Sequence, residues 1–429
     1  MSNATLESYL EEKGYTSSRN RDLPVVNRAY KPACLIKESE AKETPVFFKL
    51  EKSPHVIVAG LITRRNLLYE LIGKQGDPVA AYNAVSSFNR KIEYSVQGPL
   101  PGNLEISNDV SILPWIKFYG KDGGFYLTSS IIISCVNKLC NASIHRIMLS
   151  DTGEIAVRLV PRHLYFMAEE AFKKGEKLPV SIVLGVHPLH MVAAAASPPM
   201  GVFELAHSTR ILGGSLYSSP IHNHPIPEAS IIVEGWITPE RIREGPFVDA
   251  MGTYDRTRLE PKLVVEKIYY RRSSFVQVIL PGGKEHSLLM GFPREASIFE
   301  SVSRVVPKVH KVSLTPASGG WLHAVVSITK NNNGDGKNAI MAAFAGHSSL
   351  KHVVIVDEDI DTDDPYQVEW AIATRFQADK DLVVVKNARG STLDPSADNG
   401  LTTKIGIDAT KPINGGEIYE KAFIPGCNK

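Results

Sequence analysis

Two carboxylates five residues apart, Glu244 and Asp249, flank a Gly-Pro turn and an apolar Phe247-Val248 pair. A carboxyl that donates a proton near neutral pH needs such a setting: a partly desolvated acid beside a second group that stays charged. Alone, the segment also fits an ordinary surface turn. It gains meaning beside Asn141-Ala-Ser-Ile-His-Arg146, Pro161-Arg-His163 and Glu204. Asn141, His163 and Glu204 offer an amide oxygen, an imidazole nitrogen and a carboxylate oxygen. That mixed set suits Mn2+ or Mg2+ better than a thiolate-lined zinc site, and it leaves positions open for a phosphate oxygen. Taken singly, each is more often a satisfied polar group in a β-rich core. The planar fork of Arg146 fits a carboxylate in bidentate fashion, either Glu244 or a substrate, and a structural ion pair is the competing reading.

These residues must be positioned by elements of different kinds. Residues 1–108 mix helical patterns (Thr5 to Lys13, Arg64 to Ile72) with a strand at Val56 to Gly60, and close on a Pro/Gly linker, Gln97 to Gly102. Residues 109–305 carry short β-type runs at Gly124 to Cys135, Ile144 to Leu149, Glu154 to Leu159, Leu178 to Leu184, Ile231 to Ile237 and Lys262 to Leu280. Their lengths and Gly/Pro/Asp boundaries predict an antiparallel barrel or sandwich. Asn141 and Arg146 are an odd number of positions apart, which puts them on opposite faces of a regular strand unless a bulge or bend intervenes. In residues 306–429, strands at Leu322 to Ile328, His352 to Val356 and Leu382 to Val385 alternate with helices at Asn338 to Gly346 and Pro365 to Phe376. This is the pattern of βαβ units on a small parallel sheet.

Composition narrows the function classes. With 429 residues, 43% hydrophobic and 22% charged, the chain fits two or three ordinary domains. Its 48 basic and 46 acidic residues give a net charge of +2 with no basic block, which disfavours nucleic acid as a partner. No apolar run is long enough to span a bilayer and no signal peptide is evident, so a cytoplasmic location is expected. Cys34, Cys135, Cys140 and Cys427 do not form a disulfide framework in so long a chain, and Cys135 and Cys140 read as buried reduced thiols. His222-Asn-His224 reads as loop structure, and Gly282-Gly283 as a tight turn before Lys284-Glu-His286. The acidic run from Asp357 to Asp364 lacks the Gly and Glu of a calcium loop, so it reads as a strand end and helix cap.

The set Asn141, Arg146, His163, Glu204, Glu244 and Asp249, in this order and spacing, resembles the UbiD family of decarboxylases that use prenylated FMN. The likeness continues through Leu280-Pro-Gly-Gly-Lys-Glu-His286, Met290-Gly-Phe-Pro-Arg-Glu295, Gly320-Trp-Leu-His323, Ser349-Leu-Lys-His352, Asp357-Glu-Asp-Ile-Asp361 and Gly390-Ser-Thr-Leu-Asp-Pro-Ser396. It implies an α/β N-terminal domain, a central flavin-reductase-like split β-barrel and a C-terminal α/β domain. It also implies that Asn141, His163 and Glu204 hold Mn2+ or Mg2+ at the cofactor phosphate, with a potassium ion beside it. Arg146, Glu244 and Asp249 match the catalytic set, with Asp249 as proton donor. Ser143, Ile144, Arg146, Arg162, His163 and Lys404 match cofactor contacts. The position of Asp249 is often Glu in the family, and the shorter arm changes reach rather than chemistry.

By the same resemblance the substrate is a small α,β-unsaturated carboxylic acid, the cofactor comes from a flavin prenyltransferase of the UbiX type, and the chain forms a homo-oligomer. In compactness and motif wording it is similar to the archaeal branch, which decarboxylates trans-anhydromevalonate 5-phosphate to isopentenyl phosphate. A phosphorylated substrate would call for further cations, with Arg271, Arg272 and Lys284 as candidates. The competing readings are decarboxylation of an aromatic acid such as a 4-hydroxybenzoate, an FMN-binding reductase module without decarboxylase activity, and a structural subunit of a carboxylase complex.

Overall fold

The computed structural model describes residues 4–15, 22–414, 416–419 and 421–422. The chain divides into two compact units. The first joins residues 1–75 to 87–290, and the second joins residues 76–86 to 291–429.

A closed barrel organises the first unit. Strands β1 (Phe125–Val136) and β2 (Leu139–Leu149) form a hairpin, followed by β3 (Ile155–Val157), β4 (Leu178–Leu184), β5 (Ile231–Glu244) and, after a two-stranded excursion of β6 (Phe247–Val248) and β7 (Tyr254–Asp255), by β8 (Arg258–Tyr270). Antiparallel pairing runs β5-β4-β1-β2-β3-β8, and β8 returns to β5, so six strands close on themselves. Runs such as Ile131-Ile132-Ile133 favour strands because branched side chains pack well on a pleated surface. All three are fully buried, and Ile132 sits in a core that also takes Trp115, Tyr126, Phe48 and Ile57. Burial of each such side chain contributes roughly 1.5–3 kcal/mol.

The strand expected over Lys262 to Leu280 is instead two elements. β8 ends at Tyr270, and Phe275–Gln277 joins a separate sheet by pairing in parallel with Val56–Ala59. The expected Gln97–Gly102 linker begins as a strand, Val96–Pro99, that pairs with Leu216–Ser218. β5 runs seven residues past its expected end, through an irregularity at Thr238-Pro239-Glu240 where pairing with β8 shifts register. That extension delivers Glu244.

The reduced-thiol expectation for Cys135 and Cys140 is overturned. The two residues face each other across the β1–β2 hairpin and form a disulfide. A two-residue turn, Asn137-Lys138 with both φ positive, closes the hairpin and sets that register. Spacing alone does not reveal a cross-strand pair unless the turn between is recognised. Cys34 is free and exposed, and Cys427 lies outside the described residues.

The second unit holds a five-stranded sheet of β9 (Lys308–Leu314), β10 (His323–Thr329), β11 (His352–Asp357), β12 (Leu382–Arg389) and β13 (Leu401–Ala409), in the order β9-β10-β11-β13-β12. Its centre, β10-β11-β13, is parallel, and both edge strands are antiparallel. Helices Asp335–Gly346 and Pro365–Arg375 make the crossovers. Asp364 caps the second of these by accepting from Tyr366 N, as its place in the acidic run suggested.

Candidate functional site

Strand β2 carries two clusters. At its start Asn141, Ser143 and His145 share one face: Ser143 Oγ lies 3.0 Å from Asn141 Oδ1 and 2.8 Å from His145 Nε2. Arg146 leaves that face. Opposite it β1 bulges, with Leu127 pairing Ile147 and Ser130 pairing His145, so Thr128 and Ser129 together face one residue. Their hydroxyls are tied to Ile279 O and Gln277 O. The bulge thus lies on the partner strand, and β2 itself runs unbroken.

Helix α1 (His163–Lys173) and helix α2 (Glu204–Ile211) each bring their first residue to the start of β2. Glu204, fully buried, accepts from Ala142 N on Oε2 at 2.7 Å and from Asn141 Nδ2 on Oε1 at 2.6 Å; His163 Nδ1 is 3.8 Å from the same Oε1. Hydrogen-bond accounting is informative here. Burial pulls the His145 pKa down to about 4, so the ring is neutral, and Nδ1 must hold its proton to donate to Arg158 O at 2.9 Å. Nε2 then accepts the single proton of Ser143. Asn141 Nδ2 donates to Glu204 Oε1, which leaves the amide oxygen, beside Ser143 Oγ, with lone pairs to spare. The donor set (amide oxygen, carboxylate oxygen, imidazole nitrogen) fits a divalent ion with open positions. Among the described residues no group of three or more His, Cys, Asp or Glu is placed to bind a metal, so a site here depends on Asn141.

The second cluster closes on itself. Arg146 Nε and Nη2 donate to Glu244 Oε1 and Oε2, both at 2.8 Å, in a bidentate pair. Nη2 also reaches Asp255 Oδ2 at 3.1 Å, and Nη1 lies 3.5 Å from Asp249 Oδ2. The guanidinium stacks 4.5 Å from the Phe247 ring centre. Burial alone would lower the Arg146 pKa, but the hydrogen bonds and charge of Glu244, then Asp249 and Asp255, more than offset it and raise it above its usual value. At Asp255, burial is outweighed by Arg258 and Arg146, so its carboxyl sits below the usual range. Exposure sorts the acids: the Glu244 side chain is 0% exposed and Asp249 is 23% exposed, so Asp249 alone of the two can meet a ligand.

Two residues of this cluster had no role assigned from sequence. Asp255 arrives because β7 pairs with β6, setting it opposite Phe247; a turn at Ala250 to Thr253 between short β runs is the only hint. His286 belongs to the quoted Leu280-to-His286 motif, and both Asp249 and Arg146 act on its ring electrostatically.

Other sequence candidates lie elsewhere. Ile144 sits in β2, paired with Ile131, and Arg162 precedes α1 and donates to Ser197 Oγ. Lys404 belongs to the second unit, in β13, where it donates to Ser348 O. Arg271 pairs with Glu228, Arg272 with Glu105 and Lys284 with Glu43, and none of the three bonds to Arg146, Glu244 or Asp249. His224 is buried, with Ser181 on its Nδ1; His222 bonds Gly235 O and stacks edge-on against Trp236, consistent with a structural role. No helix is long and apolar enough to cross a membrane among the described residues.

Residues 96–284 match the family model for the 3-octaprenyl-4-hydroxybenzoate carboxy-lyase Rift-related domain, UbiD, and residues 287–409 match the model for the C-terminal domain of the same carboxy-lyase. The sequence is 48% identical to an anhydromevalonate phosphate decarboxylase of Aeropyrum pernix over 99% of this chain and 97% of the relative. It is 42% identical to one of Methanosarcina mazei over 90% and 92%. The fold is similar to the UbiD-class enzyme HmfF from Pelotomaculum thermopropionicum in complex with FMN, with a TM-score of 0.89, 32% identity, and coverage of 98% of this chain and 97% of that one.

Proposed function

Since the chain belongs to the UbiD family, we propose that it is a prenylated-FMN-dependent carboxy-lyase acting on trans-anhydromevalonate 5-phosphate to give isopentenyl phosphate and CO2. The observation that carries the chemistry is the buried bidentate Arg146–Glu244 pair with a solvent-reachable carboxyl, Asp249, at its edge. The identity to the archaeal enzymes over nearly the whole chain supports the choice of substrate.

Each residue then has a physical task. Glu244 fixes Arg146 and cannot itself touch substrate, so it is a positioning residue. Arg146 orients the substrate carboxylate. Asp249 delivers the proton that replaces CO2 on carbon. Phe247 backs the guanidinium and keeps that side dry. Asn141, His163 and Glu204 would hold Mn2+ or Mg2+ at the cofactor phosphate, with K+ nearby, and the buried Glu204 carboxylate gathered with Asn141 and His163 supports that assignment. Ser143, Ile144, Arg162 and Lys404 would contact the cofactor. When bound, the prenylated flavin supplies an electrophilic carbon and an electron sink.

The same reading includes a UbiX-type prenyltransferase as cofactor supplier, a homo-oligomer, a cytoplasmic location, and three modules at 1–108, 109–305 and 306–429. The test is expression with a flavin prenyltransferase and manganese, followed by CO2 measurement from a panel holding anhydromevalonate phosphate, a cinnamate and a 4-hydroxybenzoate. Release from the phosphorylated acid alone is expected. Release only from an aromatic acid would replace the substrate, and an Asp249→Asn protein with full activity would replace the mechanism.

A further inference from the structure

We propose that residues 216–228 form a pH-sensitive strap across the outer face of the barrel, latched by a single proton held between His222 and Glu234 and freed when that proton is lost.

The latch comes from strand alternation. On β5, Ile231, Val233 and Ile237 join the barrel core, which turns Glu234 and Trp236 outward. Across the ladders Glu234 faces Ser181 of β4 and Lys267 of β8. The strap closes over them. Leu216–Ser218 pairs with Pro225–Ile226, and the hairpin is fastened at its end by Ser219 N donating to His224 O at 2.9 Å and His224 N donating to Ser219 Oγ at 3.1 Å. Its tip sets His222 edge-on against Trp236, with 4.7 Å between ring centres. Beneath it the Glu234 side chain is fully buried.

Proton counting shows what the cluster needs. Ser181 Oγ donates to Glu234 Oε2 at 2.9 Å and lies 2.9 Å from Ser219 Oγ and 3.0 Å from His224 Nδ1. Glu234 Oε1 has no hydrogen-bond partner among the described residues. His222 Nε2 is 3.0 Å from Gly235 O, which can only accept, so Nε2 carries a proton; it is also 3.6 Å from Glu234 Oε2. One further proton makes the cluster neutral, whether it sits on His222 Nδ1 as an imidazolium or on Glu234 Oε1 as a carboxylic acid. Without it a carboxylate is left buried beside a neutral ring, an unfavourable state that water relieves once the strap lifts.

No neighbouring group supplies that charge. His224 stays neutral, since burial and then the charge of His222 lower its pKa to about 4. Lys267 makes no ion pair with Glu234 among the described residues, Glu228 at the end of the strap is paired with Arg271 at 3.3 Å, and Glu266 accepts from Trp236 Nε1. Tyr269 and Tyr217 are held neutral by burial and by the carboxylates near them. Burial raises the Glu234 pKa more than Ser219, Ser181, the charge of His222 and Ile221 N–H lower it. A carboxyl whose pKa is higher in the closed form holds the strap most firmly below its open-form value, and that hold is lost as pH rises through the closed-form value. The latch therefore releases on the alkaline side.

The test is amide hydrogen exchange on the full-length protein between about pH 6 and about pH 9, corrected for the intrinsic rate at each pH. It is read on peptides covering 216–228 and, as a control, 125–136. The wild-type strap is expected to lose about tenfold in protection over that range, the change that one proton gives across one pH unit, with the control unchanged. Glu234→Gln, which keeps an acceptor for Ser181 and cannot ionise, is expected to hold its pH 6 protection throughout. Strap protection that is flat with pH, a loss shared equally by the control, or the same loss in Glu234→Gln would overturn the proposal. Wild type labelled with 5-fluorotryptophan gives a second readout that needs no variant to fold, because Trp236 is one of four tryptophans. One 19F resonance is expected to shift over the same range, and four static resonances overturn the latch.

Discussion

The two ends of strand β2 solve opposite problems with similar residues. At Arg146 a cation is surrounded by carboxylates that satisfy it, with Glu244 bidentate and Asp255 and Asp249 at the margins. At Asn141 a buried carboxylate, Glu204, is held by the Asn141 and Ala142 N–H groups, with the His163 imidazole 3.8 Å away. The first end balances its charges within the protein, and the second holds a buried carboxylate on neutral N–H groups. In the proposed reading one end positions and the other binds, and the contrast can be broken residue by residue.

The largest effect is expected at the closed end. Arg146→Ala leaves Glu244 buried without a partner, so stability should fall by about 3–5 kcal/mol, and CO2 release should fall below detection. Arg146→Lys keeps the charge and loses the fork, so a denaturant titration should show part of that loss while activity stays near zero. Next is Asp249→Asn, which removes the proposed proton donor, a carboxyl at the exposed edge of the cluster. We expect kcat to drop by about 10²–10⁴ with the unfolding midpoint unchanged. A fall in stability matching that of Arg146→Ala would mean that Asp249 is structural and that the comparison is drawn in the wrong place.

How much of this was legible in sequence follows from what each element advertises. β4 is read to the residue, because Leu178–Leu184 is a β-branched run between breakers. β5 was cut short because Thr238-Pro239-Glu240 looks like an end, whereas it is an irregularity within a pair that continues to Glu244. Helices α1 and α2 were missed for a definite reason: their N-caps, Arg162 and Phe203, make no side-chain cap bond, so the usual Ser/Thr/Asp signal is absent where His163 and Glu204 begin them. The carboxylate pair around the Gly-Pro turn was visible from its own spacing. Asp255 and His286 were not, since each reaches Arg146 through a backbone packing, β6 on β7 and the Gly282 turn on the Asp249 turn, that leaves no pattern in residue type.

The open end gives the next test. Glu204→Gln removes the charge that a cation needs while leaving an oxygen for Ala142 N. Mn2+ affinity, read by electron paramagnetic resonance on the purified protein, should fall about 10–100-fold with a small change in stability. An unchanged affinity would dissociate Glu204 from metal binding.

A pH dependence belongs to four other buried imidazoles. Burial lowers the pKa of His55 and His224 to about 4 and of His187 and His190 to about 3. Their folded values lie below the unfolded value of about 6.5, so the stability they contribute is present above that pH and is lost as pH falls. Each should cost about 1.4 kcal/mol per pH unit within its window. Thermal midpoints should therefore fall from about pH 6.5 downward, and His190→Asn should reduce the slope.

The smallest effect tests whether the disulfide beside Asn141 is part of the open end or only its neighbour. Cys140 precedes Asn141 directly, and the adjacent ladder pair is Ser134 with Asn141, so opening the bridge would loosen the site if the bridge held it. Two other devices already hold that register: the two-residue turn at Asn137-Lys138, and the Glu204 carboxylate bound to Ala142 N. Chain-entropy reasoning for so short a loop gives at most about 2 kcal/mol, and a turn that closes the hairpin unaided reduces it further. Cys135→Ser with Cys140→Ser should accordingly lower the thermal midpoint by a few degrees and leave Mn2+ affinity within twofold of wild type. A tenfold loss of Mn2+ with a normal midpoint would show that the bridge, rather than the turn and Glu204, sets the position of Asn141.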